Sequence, residues 1–206
     1  MPVEPTSVDA ALRGVDEFFM ARGPVHKTMR MLARRLSDEG INYAFIGGMA
    51  LVLHGYRRET IDVDVMLDEE GRKRFANRLV GRGYATVFPD AKKRFRDTGT
   101  GVEIHFLVHG DFPVGDKPNP VVVPRPGEAS IEMGGIRVVT LEKLIELKLA
   151  SGMTAPDRLR DLADVQELIR IKRLDAEFVK RLNPYVADKY LELWNAVARA
   201  VPDEGP

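Results

Sequence analysis

YAFIGGMALVLHGYRRETIDVDVMLD, residues 43–68, sets the architecture of the chain. An apolar run, Tyr43 to Ile46, meets Gly47-Gly48. A short apolar helical turn follows and closes at Gly55. The polar link Arg57, Arg58, Glu59 and Thr60 leads into Ile61-Asp62-Val63-Asp64-Val65. Strict alternation with period two predicts a half-buried strand. Ile61, Val63 and Val65 then share one face and Asp62 and Asp64 the other. Carboxylates are disfavoured in strands, so two in one short strand ask for a reason. One is the solvated face of an edge strand; the other is a site. Paired carboxylates in a dry cleft repel each other, and a divalent cation relieves that repulsion. Oxygen ligands suit Mg²⁺ or Mn²⁺. A strand entering a helix through glycines lets phosphate approach backbone N–H groups. Together these features predict metal-dependent phosphoryl or nucleotidyl transfer.

Gly-Gly-x-Ala followed by Arg58-x-Thr60-x-Asp62-x-Asp64 resembles the nucleotidyltransferase superfamily that includes polymerase β, in the spelling of its abortive-infection and toxin-type members. The resemblance implies an α+β fold: a nucleotidyltransferase-like mixed sheet flanked by helices, with a helical C-terminal region. It implies an NTP substrate, with Gly47, Gly48, Arg58 and Thr60 at its phosphates. It also implies a third carboxylate on a neighbouring apolar-acid-apolar strand. Glu103 in Val102-Glu103-Ile104 fits, one C–C bond (about 1.5 Å) longer than the more usual Asp. Glu103 would complete the metal set with Asp62 and Asp64, and could accept the acceptor hydroxyl's proton. By alternation His105 shares the Glu103 face; it could ligate metal, contact phosphate, or be a solvent-exposed strand histidine.

Farther on, Leu147-Lys148 and Arg158-Leu159-Arg160-Asp161, with Asp164, resemble that family's Leu-Lys-x-x-Ala and Arg-x-Lys-Asp-x-x-Asp element. Arg160 stands for Lys, and Ala150 comes one residue early. The resemblance implies that Lys148 holds the triphosphate or the transition state and that Asp161 orients it. Taken alone, a lysine beside an apolar face often snorkels. Arg58, Arg94 and Arg96 could grip phosphate or be ordinary surface charge.

The chain has 206 residues, 44% hydrophobic and 30% charged, with zero formal net charge. That balance gives no support for a generic nucleic-acid binder, although the basic stretch Lys92 to Asp97 (KKRFRD) favours a polyanion such as RNA as acceptor. The absence of cysteine excludes disulfides and thiolate metal sites. The first 14 residues lack a basic segment and an apolar core, so no signal peptide is expected. No apolar run approaches membrane-spanning length, and a cytoplasmic location is expected. A toxin role implies a cognate antitoxin. Two other functions suit the same residues: a non-catalytic nucleotide- or RNA-binding module, and a phosphohydrolase built from Asp62, Asp64 and His105.

Helices are expected from Ser7 or Asp9 to Met20 and from Val25 to Ser37, the latter with Met29, Met31, Leu32 and Leu36 apolar and its cations outward. Glu69 to Arg82 reads as a helix, and Tyr84–Phe88 and Val102–Val108 as strands. Residues 109–127, rich in Pro and Gly, read as a long loop, a lid or an extended crossing. Ala129–Met133 and Ile136–Val139 form a hairpin through Gly134-Gly135. Thr140 caps the first helix of a C-terminal set: 141–150, 156–171, 174–182 and 184–200, with Trp194 in the core. This gives a nucleotidyltransferase-like region 1–140 and a helical region 141–206.

Overall fold

The computed structural model describes residues 23–114 and 118–200. The helix expected before Met20 lies outside them. The first described helix, α1 (Pro24–Asp38), has Pro at its first position, where no N–H is needed. It buries Val25, Met29, Leu32, Ala33 and Leu36. Met31 is 47% exposed, because two residues past Met29 is about 200° around the helix.

The elements that follow are β1 (Tyr43–Ile46), α2 (Gly47–Leu53), β2 (Asp62–Leu67), α3 (Glu69–Leu79), β3 (Tyr84–Thr86), β4 (Arg94–Asp97) and β5 (Glu103–Val108). After these come the hairpin β6 (Ser130–Met133) and β7 (Ile136–Val139), then α4 (Leu141–Thr154), α5 (Leu159–Lys172) and α6 (Ala187–Ala200). The seven strands form one mixed sheet, ordered β3-β4-β5-β2-β1-β7-β6. β2 runs parallel to β5 and β1 parallel to β7; the other pairs are antiparallel. This is the expected α+β arrangement.

Strand parity assigns two cores. Tyr43, Phe45, Val63, Val65, Leu67, Ile104 and Phe106 pack against α1 and α3. Phe75 of α3 anchors that side, its ring 4.7 Å from Phe106 and 4.9 Å from Phe95. Ala44, Ile46, Met66 and Val138 face the other way, onto α4, α5 and α6. Asp62, Asp64, Glu103 and His105 alternate with the first set and so lie on the face that the C-terminal helices partly cover.

Several boundaries differ from expectation. β2 begins at Asp62, so Ile61 is not on the buried face but 81% exposed. α3 ends at Leu79, where Val80 turns extended and Gly81 takes a positive φ. Residues 156–158 and 176–181 are 3₁₀ turns rather than helix. Trp194 is only partly buried and donates its indole N–H to the Leu174 carbonyl at 3.0 Å; Tyr190 is the buried aromatic of α6. Within the 109–127 stretch the described residues around Gly110 and Val123 lie side by side. Gly110 donates to Val123, and Val123 to Asp111, while Val121 and Val123 enter the C-terminal core. Gly134 and Gly135 have φ of 58° and 79°, the pair of positive values a primed hairpin turn needs. Thr140 caps α4, accepting from the Lys143 N–H. Among the described residues no helix is long and apolar enough to cross a membrane.

Candidate active site

The Gly47-Gly48 corner lies against the aspartate strand, because Ile46 of β1 pairs with Asp64 of β2. Gly47 has φ +62°, and a Cβ there would stand 1.9 Å from Asp64 Oδ2. A Cβ on Gly48 would come 2.5 Å from Thr60 Oγ1. The glycines thus let α2 fold directly over the two acids. Thr60 in turn donates its hydroxyl to Asp62 Oδ1 at 2.8 Å. Gly47→Ala is expected to push Asp64 out of place and to strain a backbone that L-residues rarely adopt. Its measured outcome should be a stability loss of about 1–3 kcal/mol in denaturant titration, together with loss of activity.

Across the sheet the register builds two rows. Asp62 pairs with Glu103, which pairs with Arg96; Asp64 pairs with His105, which pairs with Arg94. His105 Nδ1 lies 3.4 Å from Asp64 Oδ1 and 3.5 Å from Asp62 Oδ2. The hydrogen bond that the imidazole donates to Asp64 raises its pKa, and burial only partly opposes it. Glu103 sits on the same face, but each of its oxygens is engaged: Arg96 donates to Oε1 at 2.8 Å and Arg94 to Oε2 at 2.9 Å. The Arg96 hydrogen bond, then that of His105, holds the Glu103 carboxyl below the usual range.

A second cluster forms where the C-terminal helices meet the link after α2. Lys148 of α4 donates to Asp161 and Asp164 of α5, each at 2.7 Å. Arg58 reaches over from the link and donates to Asp164 at 2.6 Å. Ser151 donates to the other Asp161 oxygen at 2.6 Å. Two cations face two carboxylates, so a group of charges that is largely buried is balanced. Asp164 is 2% exposed and holds both cations. The sequence placed Asp164 in the family-like element without giving it this role, and it did not single out Ser151. The available signal was spacing: Asp161 and Asp164 are i,i+3, as are Lys148 and Ser151. Arg58 Nε is buried without a hydrogen-bond partner among the described residues.

Burial pushes the Asp161 pKa up, but the Lys148 charge and the hydrogen bonds from Lys148 and Ser151 outweigh it, and the net shift is downward. A folded pKa below the unfolded value of about 3.9 stabilises the fold at higher pH, and that contribution is lost as pH falls through the folded value. Asp161→Asn is therefore expected to lower stability at neutral pH and to flatten its dependence below about pH 4. Urea midpoints measured across that range check it.

Both clusters line one cleft of about 890 Å³. Gly47, Gly48, Thr60, Asp62, Asp64 and His105 form one side; Arg58, Lys148, Ser151, Arg158 and Asp161 form another. Leu107, Phe112, Pro113, Leu144 and Leu147 give it an apolar wall. Glu103 and Arg96 are not among the lining residues. Arg94 is, and so is Lys93, which is paired with Asp111 at 2.8 Å. His54, buried elsewhere, bonds the Val139 carbonyl at 2.8 Å and is structural.

One atom each from Asp62, Asp64 and His105 can lie within 4.8 Å of the others, a spacing and donor set that fit a divalent cation.

A family model described as "Nucleotidyl transferase AbiEii toxin, Type IV TA system" matches residues 30–204. No curated protein matches the sequence. Similar solved structures include JHP933 from Helicobacter pylori, 15% identical over 85% of this chain and 89% of that one, with TM-score 0.46. A candidate nucleotidyltransferase from Thermotoga maritima (TM1012) is 21% identical over 67% and 93%, with TM-score 0.42. ANT(2")-Ia in complex with adenylyl-2"-tobramycin is 14% identical over 84% and 96%, with TM-score 0.49. Because the family match spans most of the chain, including the Gly-Gly corner, both aspartates of β2, Lys148 and Asp161, the chain belongs to the AbiEii family of nucleotidyltransferase toxins of type IV toxin–antitoxin systems.

Proposed function

We propose that the protein transfers the nucleoside monophosphate of an NTP to a hydroxyl of a macromolecular acceptor, in the cytoplasm, with a divalent cation held by the Asp62–Asp64 face. The observation that carries this reading is the cleft itself. It places two carboxylates of one strand opposite a buried lysine and an arginine with an unsatisfied N–H. A bound divalent cation supplies charge neutralisation at phosphate oxygens and lowers the pKa of the attacking hydroxyl. The acceptor oxygen bonds to the α-phosphorus as the bond from that phosphorus to the α,β-bridging oxygen breaks. Pyrophosphate leaves, and the hydroxyl proton passes to a carboxylate or to water. Lys148, oriented by Asp161, and Arg58 bind the negative triphosphate along the Gly47-Gly48 edge. Glu103, held between two arginines, is a weak base for that proton.

Residues 1–140 thus carry the acidic pair and residues 141–206 the lysine. The basic run offers RNA less free charge than its composition suggests, because Lys93 pairs with Asp111, and Arg94 and Arg96 with Glu103. The acceptor is therefore to be identified by experiment, and a cognate antitoxin is the expected genetic partner. Incubation with α-labelled and γ-labelled NTPs plus cell lysate tests the reaction. The expected result is α-label on a macromolecule, with pyrophosphate released; nuclease or protease digestion then tells RNA from protein. Free phosphate as the sole product would instead indicate a hydrolase, and label on no product would indicate a binding module.

A further inference from the structure

Two residues of β5 face the aspartate pair, and their surroundings differ. Glu103 has both carboxylate oxygens occupied by guanidinium groups, at 2.8 and 2.9 Å. Its charge is compensated there, and turning toward the aspartates would break both pairs. His105 has one ring nitrogen directed at the aspartates, 3.4 and 3.5 Å from their oxygens. Its other nitrogen lies 3.4 Å from Glu103 Oε2. Donors bound to one ion at roughly 2.1 Å stand about 3–4 Å apart, close to the separations seen here. A histidine with one nitrogen toward a metal position and the other toward a carboxylate has its tautomer and ring orientation set by that carboxylate.

We infer that Asp62, Asp64 and His105 form a mixed nitrogen–oxygen metal centre, with Glu103, clamped by Arg94 and Arg96, as the positioning residue of His105, and that this centre takes Mn²⁺ or a later first-row divalent ion in preference to Mg²⁺. An all-carboxylate set suits a hard ion such as Mg²⁺, whereas imidazole adds affinity for transition ions. The inference rests on the nucleotidyl-transfer reading of the cleft but concerns which atoms bind and which ion they select. It also separates the two β5 residues: His105 touches the ion and Glu103 acts through His105.

The test is metal binding to the full chain without nucleotide, by calorimetry and by electron spin echo spectroscopy of bound Mn²⁺. Wild type is expected to bind Mn²⁺ at least about tenfold more tightly than Mg²⁺ and to show ¹⁴N modulation from a directly bound imidazole. His105→Asn should abolish that modulation and weaken Mn²⁺ binding about tenfold or more while changing Mg²⁺ binding far less. Glu103→Gln should keep the modulation but weaken Mn²⁺ roughly tenfold, and circular dichroism verifies that both variants fold. Equal affinity for the two ions, or Mn²⁺ bound without ¹⁴N modulation, would overturn the mixed centre. If Asp62→Asn abolishes that nitrogen-free binding, the nucleotidyl-transfer reading survives the loss. If Asp62→Asn leaves metal binding unchanged, both readings fail.

Discussion

Asp62→Ala is expected to lower the rate of α-label transfer by roughly a thousandfold or more, the size that follows from losing several kcal/mol of charge stabilisation at the reacting phosphate. The fold should barely notice. Asp62 is half-buried; it accepts one hydrogen bond from Thr60 at 2.8 Å and a longer approach from His105 at 3.5 Å. Removing one of two like charges on the same strand face also relieves repulsion. The two effects oppose each other, so the thermal midpoint should move by no more than about 2 °C. Asp64→Ala should behave alike, because the contact it loses, to His105 Nδ1 at 3.4 Å, is also long. An Asp62→Ala protein that still transfers nucleotide at the wild-type rate, with its midpoint intact, would remove the acidic pair from the reaction.

Lys148→Met should have the largest effect on stability. The ammonium sits between Asp161 and Asp164 and is 7% exposed. Deleting it leaves Asp164 to Arg58 and Asp161 to the Ser151 hydroxyl and the charge of Arg158. Breaking a buried pair by removing one partner costs about 3–5 kcal/mol, which for a chain of this length lowers the midpoint by roughly 6–20 °C. Met keeps much of the side-chain volume, so the cost is mostly electrostatic. The double variant Lys148→Met/Asp161→Asn removes one charge of each sign and should recover part of that stability. Activity should stay lost in both, assayed well below the midpoint, because the ammonium also meets the triphosphate. Recovery of transfer alongside stability in the double variant would make Lys148 a purely structural residue.

Local features were legible wherever the physics is local. The alternation of residues 61–65 marked a strand with both acids on one side. Two adjacent glycines marked the β6–β7 turn, and Thr140 marked a helix start. The errors were also local in origin. Ile61 continued the alternation, but pairing to β5 starts at Asp62, and a residue before the first paired position has no second strand to lie against. Met31 was grouped with the apolar residues of its helix although the helical period turns it outward.

The chemistry of the cleft depends on pairings between distant parts of the chain, and no residue pattern in one segment encodes them. The β2–β5 register sets Asp64 opposite His105 and Asp62 opposite Glu103, and the β4–β5 register brings two arginines onto that glutamate. Shifting either register by one residue would turn those side chains to the other face. In the same way, Asp164 holds both Arg58 and Lys148 only because α5 packs between the link at residue 58 and α4. Along the chain these three residues are 106 and 16 positions apart. The Gly-Gly corner and the Asp-x-Asp strand, through their resemblance to a known family, were enough to point to a nucleotidyltransferase. Which β5 side chain approaches the aspartate pair, and which acid neutralises the buried cations, follow from sheet register and helix packing, where contact free energy is set by neighbours in space.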